Sequence, residues 1–408
     1  MRRVVITGVG GITALGTGWP EISTGLRAGR NAVRYMPEWD SLTDLNTRLA
    51  APIDGFLPPA HWNRKQLRSM GRVSQLAVRA SEFALSDAGF ANDPSIKDGR
   101  MGVACGSSVG STPDIRNFVE MLQTGKSGGL NANSYVRMMP HTTAANIGIF
   151  FGLTGRIIPT SSACTSGSQG IGYACESIRC GKQSLMLAGG AEELCASEAI
   201  AFDFLYATSR RNDRASETPR PYDRDRDGLV VGEGAAMFVL EERDHARARG
   251  ARIHAEVVGF ASNSDGSHVT RPEEMTMRRV MELALQDAGL APSAIGYVNG
   301  HGTATEHGDI AETRATSALL GPHMPISSQK SYLGHTLGAC GALEAWFTIE
   351  MMKDGWHAPT INLDHVDPLC GDLDYLTGAG RQIDVEFSMS NNFAFGGVNT
   401  SLIFGHGG

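Results

Sequence analysis

One cysteine in this sequence has neighbours that suit nucleophilic chemistry. Cys164 lies among small residues, in Ser161-Ser162-Ala163-Cys164-Thr165-Ser166-Gly167, which leave room for a substrate to approach. The apolar spacing of residues 170–178 predicts a helix directly after it. Backbone N–H groups and the positive end of the helix dipole favour a thiolate there, the form that attacks thioesters. The alternative is that Cys164 is a small buried apolar side chain, the usual fate of a free cysteine.

Two histidines have the same kind of surroundings as Cys164. His301 follows a predicted strand that ends at Asn299, and His335 lies in Gly334-His335-Thr336-Leu337-Gly338. Both fall at predicted strand-to-helix turns, and an α/β sheet presents its active site at the ends of its strands. Taken alone, each histidine is more often structural. Together with Cys164 they predict one catalytic centre.

Other chemistries have weaker support in the sequence. A cysteine protease of the papain type would carry its nucleophile near the N-terminus in a different local motif, and His301 with His307 lacks the paired spacing of a zinc site. Residues 223–228 imitate the start of a calcium loop, but Gly234 stands where the closing acid should be. An Asp- and Arg-rich turn held by its own ion pairs is favoured there. The dinucleotide-binding pattern fails at Thr13, where its third glycine would fall.

Bulk properties restrict the class of protein. A chain of 408 residues exceeds what one hydrophobic core usually supports, so two domains or fused halves are expected. The net charge of −7 argues against nucleic acid as the main ligand. Seven irregularly spaced cysteines suit a reducing compartment, and the cytoplasm is expected. No apolar run has the length of about 18 residues that a membrane span requires.

Strands and helices alternate along the chain, which predicts a parallel or mixed α/β sheet. The polar stretch at residues 241–250 divides the chain into a half at 1–250 that carries the nucleophile and a half at 251–408 that carries both histidines. Two similar halves suggest duplication, with the site where they meet. The first half has predicted strands at 4–11, 101–106 and 184–192, helices at 22–27 and 72–89, and buried apolar segments at 147–152 and 157–158. The second half has predicted strands at 253–260, 295–299, 325–328, 387–390 and 398–404, and helices at 274–289, 309–320 and 338–355.

A basic cluster stands out on this acidic chain. It comprises Arg64, Lys65, Arg68 and Arg72. A solvated helix face is the default interpretation. A docking point for an acidic partner is the sharper hypothesis, since local charge complementarity steers association.

Several ordered motifs resemble one family across nearly the whole chain, the elongating β-ketoacyl-[acyl-carrier-protein] synthases. They are Val5-Ile6-Thr7-Gly8-Val9-Gly10, Ser162-Ala163-Cys164-Thr165-Ser166-Gly167, Arg220-Pro221-Tyr222-Asp223, His301-Gly302-Thr303-Ala304-Thr305, Lys330 with Gly334-His335, and Phe395-Gly396-Gly397 with Asn399. The resemblance implies a thiolase-like α/β fold with five layers, α/β/α/β/α, built from two duplicated halves. The segments around 138–143, 159–163 and 391–397 are also similar to ketosynthases of aryl-polyene clusters, so an aryl or polyene acyl chain is an alternative to a saturated one.

The resemblance also implies roles for individual residues. Cys164 would accept the acyl group, His301 and His335 would serve decarboxylation of a malonyl unit, and the N–H groups of Cys164 and Phe395 would form an oxyanion hole. The remaining implied residues are Thr303 and Thr305 as phosphopantetheine contacts, Lys330 and Glu344 as a supporting charged pair, Phe395 as the gate of a loop with Gly396 and Gly397, and Val109 and Phe202 in the acyl pocket. Neither a metal nor a redox cofactor is needed.

The expected partners follow from the same resemblance. They are an acyl carrier protein, which Arg64, Lys65 and Arg68 would dock, and a second subunit, either a copy of this chain or a homologue of the chain-length-factor type. A non-elongating scaffold for another ketosynthase is the alternative function. Ala394 and Val398 depart from the gating-loop pattern, and an alanine in place of glycine would restrict the loop if φ is positive there.

Overall fold

The structure is a computed structural model that describes residues 2–407. Its strands are β1 Val4–Ile12, β2 Arg34–Tyr35, β3 Leu49–Ala51, β4 Met101–Gly106, β5 Ile157–Pro159, β6 Leu185–Glu192, β7 Val231–Gly232, β8 Gly234–Glu242, β9 Ala255–Ser264, β10 Ile295–Asn299, β11 Pro325–Ser327, β12 Trp356–His357, β13 Asp374–Tyr375, β14 Arg381–Gln382, β15 Phe387–Ala394 and β16 Val398–Gly405. Its helices are α1 Trp19–Arg27, α2 Arg64–Leu67, α3 Arg72–Asp87, α4 Thr112–Thr124, α5 Ala132–Met138, α6 Thr142–Phe151, α7 Ser166–Arg179, α8 Ala196–Asp203, α9 Arg243–Ala248, α10 Glu274–Ala288, α11 Glu306–Leu320, α12 Lys330–Leu333 and α13 Cys340–Asp354. No helix in residues 2–407 combines the length and apolar character that crossing a bilayer requires.

Eleven of these strands form one mixed sheet with the order β13-β11-β10-β15-β16-β9-β1-β8-β6-β4-β5. The two halves of the chain meet at the short antiparallel pairing of β1 with β9, where Val5 lies opposite Glu256 and Ile6 opposite Ala255. Strands β4, β5 and β6 are parallel to one another, as are β10, β11 and β15. Each half therefore has a parallel set completed by antiparallel strands.

Helices cover both faces of each half of the sheet. Helices α3 and α6 pack on the outer face of the first half, α10 packs on the outer face of the second, and α7 and α13 lie between the halves. Close packing of α3 on β1 depends on glycine, because a Cβ at Gly8 would stand 2.2 Å from the carbonyl oxygen of Ala84. The layers follow the predicted α/β/α/β/α order, so the expected fold class is confirmed.

The bounds of several predicted elements agree with the structure, but the interpretation of residues 147–152 and 157–158 as buried segments holds only in part, since Ile147 is fully buried and Phe150 and Phe151 are half-buried. The first lies in helix α6, where Ile149 is 74% exposed, and Ile157 on β5 is 44% exposed. Strand β5 ends the sheet, so its outer edge has no neighbouring strand among residues 2–407. Composition alone marks a segment as apolar; it does not show which face receives a covering layer.

Candidate active site

Cys164, His301 and His335 line a single cavity of about 540 Å³. The Nε2 atom of His335 lies 3.0 Å from the Sγ atom of Cys164, and the two imidazole rings are 5.2 Å apart at an interplanar angle of 87°. The first half of the chain supplies the sulfur and the second half supplies both rings. The structure therefore brings together the three residues that the sequence singled out.

The turn that carries Cys164 is held by hydroxyl groups of its small neighbours. Residues Ala163–Thr165 form a 3-10 helix directly before α7. The Ser166 hydroxyl donates to the carbonyl of Ala163 at 2.7 Å, and the Thr165 hydroxyl donates to the carbonyl of Ser162 at 2.8 Å. Ala163 has φ +52°, a left-handed conformation that an L-residue adopts only where surrounding contacts impose it. These contacts fix the direction of the nucleophile.

The expectation of a resident thiolate at Cys164 was wrong. Burial raises the pKa of Cys164 to about 11, although the backbone N–H of Phe395, the charge of Lys330 and the N–H of Cys164 itself act in the opposite direction. Desolvation penalises the charged form more than the start of a helix stabilises it. The resting group is a thiol, and the two N–H groups are positioned to stabilise negative charge when it forms.

His335 is held as a hydrogen-bond donor toward the sulfur. The N–H of Leu337 donates to Nδ1 of His335 at 3.3 Å, so the ring proton of the neutral imidazole lies on Nε2, which faces Cys164. Burial, with the charge of Lys330, lowers the pKa of His335 well below its usual value. His335 is therefore a neutral donor in the resting site.

His301 is held in the same tautomer by different groups. The ammonium of Lys330 lies 3.1 Å from Nδ1 of His301 and the amide of Asn392 lies 3.4 Å from the same atom. Because both groups donate, Nδ1 accepts and Nε2 carries the proton. Burial lowers the pKa of His301 well below its usual value, and the charge of Lys330 adds to that effect.

A buried charged group behind His301 fixes this arrangement. Lys330 forms an ion pair with Glu344, and the amide of Asn392 donates to the second carboxylate oxygen of Glu344 at 2.7 Å. Burial opposes the charge on Lys330, but the charge and hydrogen bond of Glu344, together with Cys340 and Glu312, outweigh burial and raise the pKa of Lys330. Lys330 thus stays charged and donates to His301.

Sequence reasoning missed two residues of the site, Asn392 and Glu312. The Glu312 carboxyl group accepts from the backbone N–H of His301 at 2.5 Å and of Gly302 at 2.7 Å, and burial raises its pKa to about 8. In the sequence, Asn392 was noted only as one polar residue of the segment that precedes Phe395, and no role was assigned to it. Nothing in the sequence marked Glu312, which lies one helix away from His301.

The other predicted residues divide between the lining of the cavity and positions outside it. Phe202, Thr303, Thr305, Phe395 and Gly397 line the cavity, whereas Val109 and Gly396 are not part of its lining. The hydroxyls of Thr303 and Thr305 are 2.9 Å apart, and the rings of Phe202 and Phe395 meet edge to face with centroids 6.1 Å apart.

Ala394 does not strain the gating loop. It ends strand β15 opposite Val398, and it is not among the residues with positive φ. The left-handed conformations fall on Gly396 (φ +95°) and Gly397 (φ +72°), where glycine is retained. The alanine therefore adds a methyl group to the cavity wall without a backbone penalty.

The basic cluster divides into two parts. Arg64, Lys65 and Arg68 are exposed and have no ion pair within residues 2–407. Arg72 instead donates to the buried carboxylate of Glu233 at 2.8 Å, so its charge is used inside the protein. None of the four lines the cavity.

The cavity donors suit hydrogen bonding rather than metal binding. The sulfur of Cys164 and one nitrogen from each of His301 and His335 lie within 4.8 Å of one another, a spacing that a metal ion could use. Each ring, however, already accepts an N–H at Nδ1, which leaves a proton on the Nε2 atom that faces the cavity. A metal at Nε2 would have to displace that proton.

We expect the buried histidines to make stability fall with acidification. Both are neutral in the folded chain and would titrate near pH 6.5 when unfolded, so their contribution is present above that pH and is lost as the pH falls below it. The contribution of each histidine should decrease by about 2 kcal/mol between pH 7 and pH 5, whereas buried Glu312, whose pKa is raised to about 8, acts in the opposite direction, so the histidine contribution is read as the difference between the wild type and His301→Gln. Urea unfolding at the two pH values measures this. His301→Gln should show a smaller decrease, and an unchanged decrease would contradict the assignment.

Comparisons with known proteins indicate the family of the chain. The sequence profile of the β-ketoacyl synthase N-terminal domain matches residues 1–246, and that of the C-terminal domain matches residues 254–364. The chain is 38% identical to the 3-oxoacyl-[acyl-carrier-protein] synthase 2 of Vibrio cholerae, with 99% of each chain covered. A crystal structure of a β-ketoacyl synthase from Burkholderia phymatum has a TM-score of 0.99 at 65% identity and full coverage of both chains. A type II polyketide ketosynthase solved in complex with its acyl-carrier protein has a TM-score of 0.86 at 29% identity, with 99% of each chain covered.

Proposed function

The chain belongs to the β-ketoacyl synthase family, and from that premise we propose how its site works. It condenses an acyl group held on Cys164 with malonyl-[acyl-carrier-protein], giving β-ketoacyl-[acyl-carrier-protein] and CO₂. The reaction elongates a fatty-acid or polyketide chain. The observation that carries this proposal is the convergence of one thiol and two neutral Nε2–H donors on one cavity.

The first half-reaction transfers the acyl group to the enzyme. The sulfur of Cys164 attacks the thioester carbonyl of acyl-[acyl-carrier-protein], and the proton of its thiol leaves with the departing pantetheine thiol. The N–H groups of Cys164 and Phe395 would stabilise the oxyanion of the tetrahedral intermediate, since both act to lower the pKa of the Cys164 thiol and so favour negative charge there. One thioester is exchanged for another, so no external energy source is needed.

The second half-reaction forms the carbon–carbon bond. Malonyl-[acyl-carrier-protein] loses CO₂, and its negative charge moves to the enolate oxygen, where the Nε2–H groups of His301 and His335 would donate. The enolate carbon then attacks the acyl carbonyl on Cys164 and expels the sulfur, which takes a proton from solvent. Neutral donors aimed at a developing oxyanion act where charge appears. Thr303 and Thr305, on the cavity wall, would hold the pantetheine arm.

Malonyl decarboxylation by the isolated protein tests this function. A ketosynthase releases CO₂ from malonyl-[acyl-carrier-protein] and accumulates an acyl adduct on Cys164. A scaffold that only shapes another synthase would do neither. The mass of the adduct formed in the native host distinguishes a saturated chain from an aryl or polyene chain.

The structure supports a dimer and a cytoplasmic location for the enzyme. Exposed apolar residues beside the free edge of β5, Ile149 and Ile157, offer a surface for a second subunit, which we propose is a copy of this chain rather than a chain-length-factor homologue. All seven cysteines are unpaired, which suits a reducing compartment. We propose that catalysis needs neither a metal nor a redox cofactor, because decarboxylation supplies the driving force for condensation.

Charge reversal at Arg64 and Arg68 should weaken docking of the carrier protein. These side chains are exposed and have no ion pair in the part of the chain that the structure describes, so they can meet acidic residues of a partner. We expect Arg64→Glu with Arg68→Glu to raise the KM for acyl-[acyl-carrier-protein] about tenfold at low salt and to leave reaction with a small acyl thioester unchanged. Equal loss on both substrates would contradict docking at this cluster.

A further inference from the structure

The mouth of the cavity carries an apolar rim that the packing of the chain does not explain. The rim consists of Phe204, Leu205, Tyr206 and Val269, which are 65%, 42%, 84% and 58% exposed. Leu205, Tyr206 and Val269 belong to the cavity wall, and Phe204 precedes them in the chain. Contiguous exposed apolar groups beside a substrate entrance mark an interaction surface rather than random surface composition.

The backbone at Tyr206 gives an independent indication of function. Helix α8 ends at Asp203, and the turn after it closes with paired bonds, from the N–H of Tyr206 to the carbonyl of Asp203 at 2.9 Å and from the N–H of Ala207 to the carbonyl of Phe202 at 3.0 Å. This ending requires a left-handed residue, usually glycine, and Tyr206 has φ +54°. A side chain there costs free energy, and the exposed Tyr206 ring recovers none of it by packing within the chain. The ring therefore serves a contact outside the chain.

The rim differs from the rest of the surface by its exposed apolar side chains and not by its charge. Arg271 lines the cavity without an ion pair in residues 2–407, but so does the exposed Glu306. Asp227 is engaged by Arg211 at 3.4 Å. The mouth is close to electrically balanced, unlike the cluster of Arg64, Lys65 and Arg68, which lies outside the cavity lining.

We propose that the apolar rim is a docking surface for the acyl carrier protein and binds an apolar patch on one of its helices, with the Tyr206 ring as the central contact. The proposal rests on the proposed function, because a substrate tethered to a carrier protein must bring its carrier to the mouth of the cavity that holds Cys164. An aromatic side chain presents a large rigid contact area, which is why such residues dominate protein interfaces. Recognition at the rim is apolar and so depends little on salt.

Tyr206→Gly is the decisive variant, because glycine accepts the left-handed backbone and the change removes only an exposed ring. We expect kcat/KM for acyl-[acyl-carrier-protein] to fall about tenfold, at both 0.05 and 0.5 M KCl, with the loss in KM. Reaction of Tyr206→Gly with the acyl thioester of N-acetylcysteamine should lose less than reaction with the carrier-bound substrate, since the small substrate has no carrier to dock. Leu57→Ala, at a residue that is 79% exposed and outside the cavity lining, is the matched control and should change neither rate. Phe204→Ser, at the rim residue outside the cavity lining, should repeat the loss with the carrier-bound substrate and should change reaction with the N-acetylcysteamine thioester less than about twofold.

Two results would overturn the proposal while leaving the enzyme assignment intact. One is an unchanged rate with the carrier-bound substrate in both rim variants. The other is an equal loss with the carrier-bound and the small substrate, which would mean that the rim shapes the cavity. A wild-type protein that forms no acyl-enzyme with either substrate would instead contradict the proposed function.

Discussion

Replacing Cys164 by alanine is expected to abolish the acyl-enzyme and to lower the rate of condensation by about 10⁴-fold or more. The sulfur is the acyl acceptor in the first half-reaction and the leaving group in the second, so no other group in the cavity can substitute for it. The Nε2–H donors of His301 and His335 remain in place, and decarboxylation of malonyl-[acyl-carrier-protein] should therefore continue. Mass spectrometry of the protein after incubation with acyl-[acyl-carrier-protein] measures the adduct.

Cys175→Ala is the matched control for that experiment. Cys175 is a buried free cysteine on α7, the helix that follows Cys164, and burial raises its pKa to about 12. Its replacement should leave the adduct intact. A labelled acyl-enzyme in Cys164→Ala would reject the nucleophile assignment.

Removing the imidazole of His301 should have the second-largest effect and should separate the half-reactions. We expect His301→Ala to lower malonyl decarboxylation by about 10²- to 10³-fold, the range found when one donor of an oxyanion hole is removed. The acyl-enzyme should still form, because His335 and not His301 contacts the sulfur. His335→Ala, by contrast, should impair both half-reactions.

His357→Gln provides the control for a merely buried histidine. His357 is buried, burial lowers its pKa to about 4, and it packs against Tyr297 with ring centroids 4.3 Å apart. It is not part of the cavity lining, so its replacement should leave decarboxylation unchanged. The assigned roles would be contradicted if His301→Ala kept its decarboxylation rate and His357→Gln lost it.

The sequence predicted the three central residues because each one followed a recognisable strand or preceded a recognisable helix. Cys164, His301 and His335 are local features of turns, and the layered fold brings such turns together. Glu312 and Asn392 escaped notice because their roles come from tertiary contacts with His301, which no local pattern encodes.

The errors have a common physical origin in burial. The acidity of the Cys164 thiol was misjudged because the helix start is visible in the sequence, whereas the desolvation that outweighs it appears only after folding. The same applies to Ile149 and Ile157, whose exposure depends on where the sheet ends. Whether Ala394 strains the loop depends on its φ angle, which the sequence does not show.

The short pairing of β1 with β9, called the seam below, also restricts how chimaeric enzymes can be built. It pairs Val5 with Glu256 and Ile6 with Ala255, and it joins the half that carries Cys164 to the half that carries His301 and His335. Chimaeras that exchange one half between related enzymes must therefore inherit a matching seam. A slip of one residue there would turn inward-facing side chains outward and carry the sulfur out of reach of its donors.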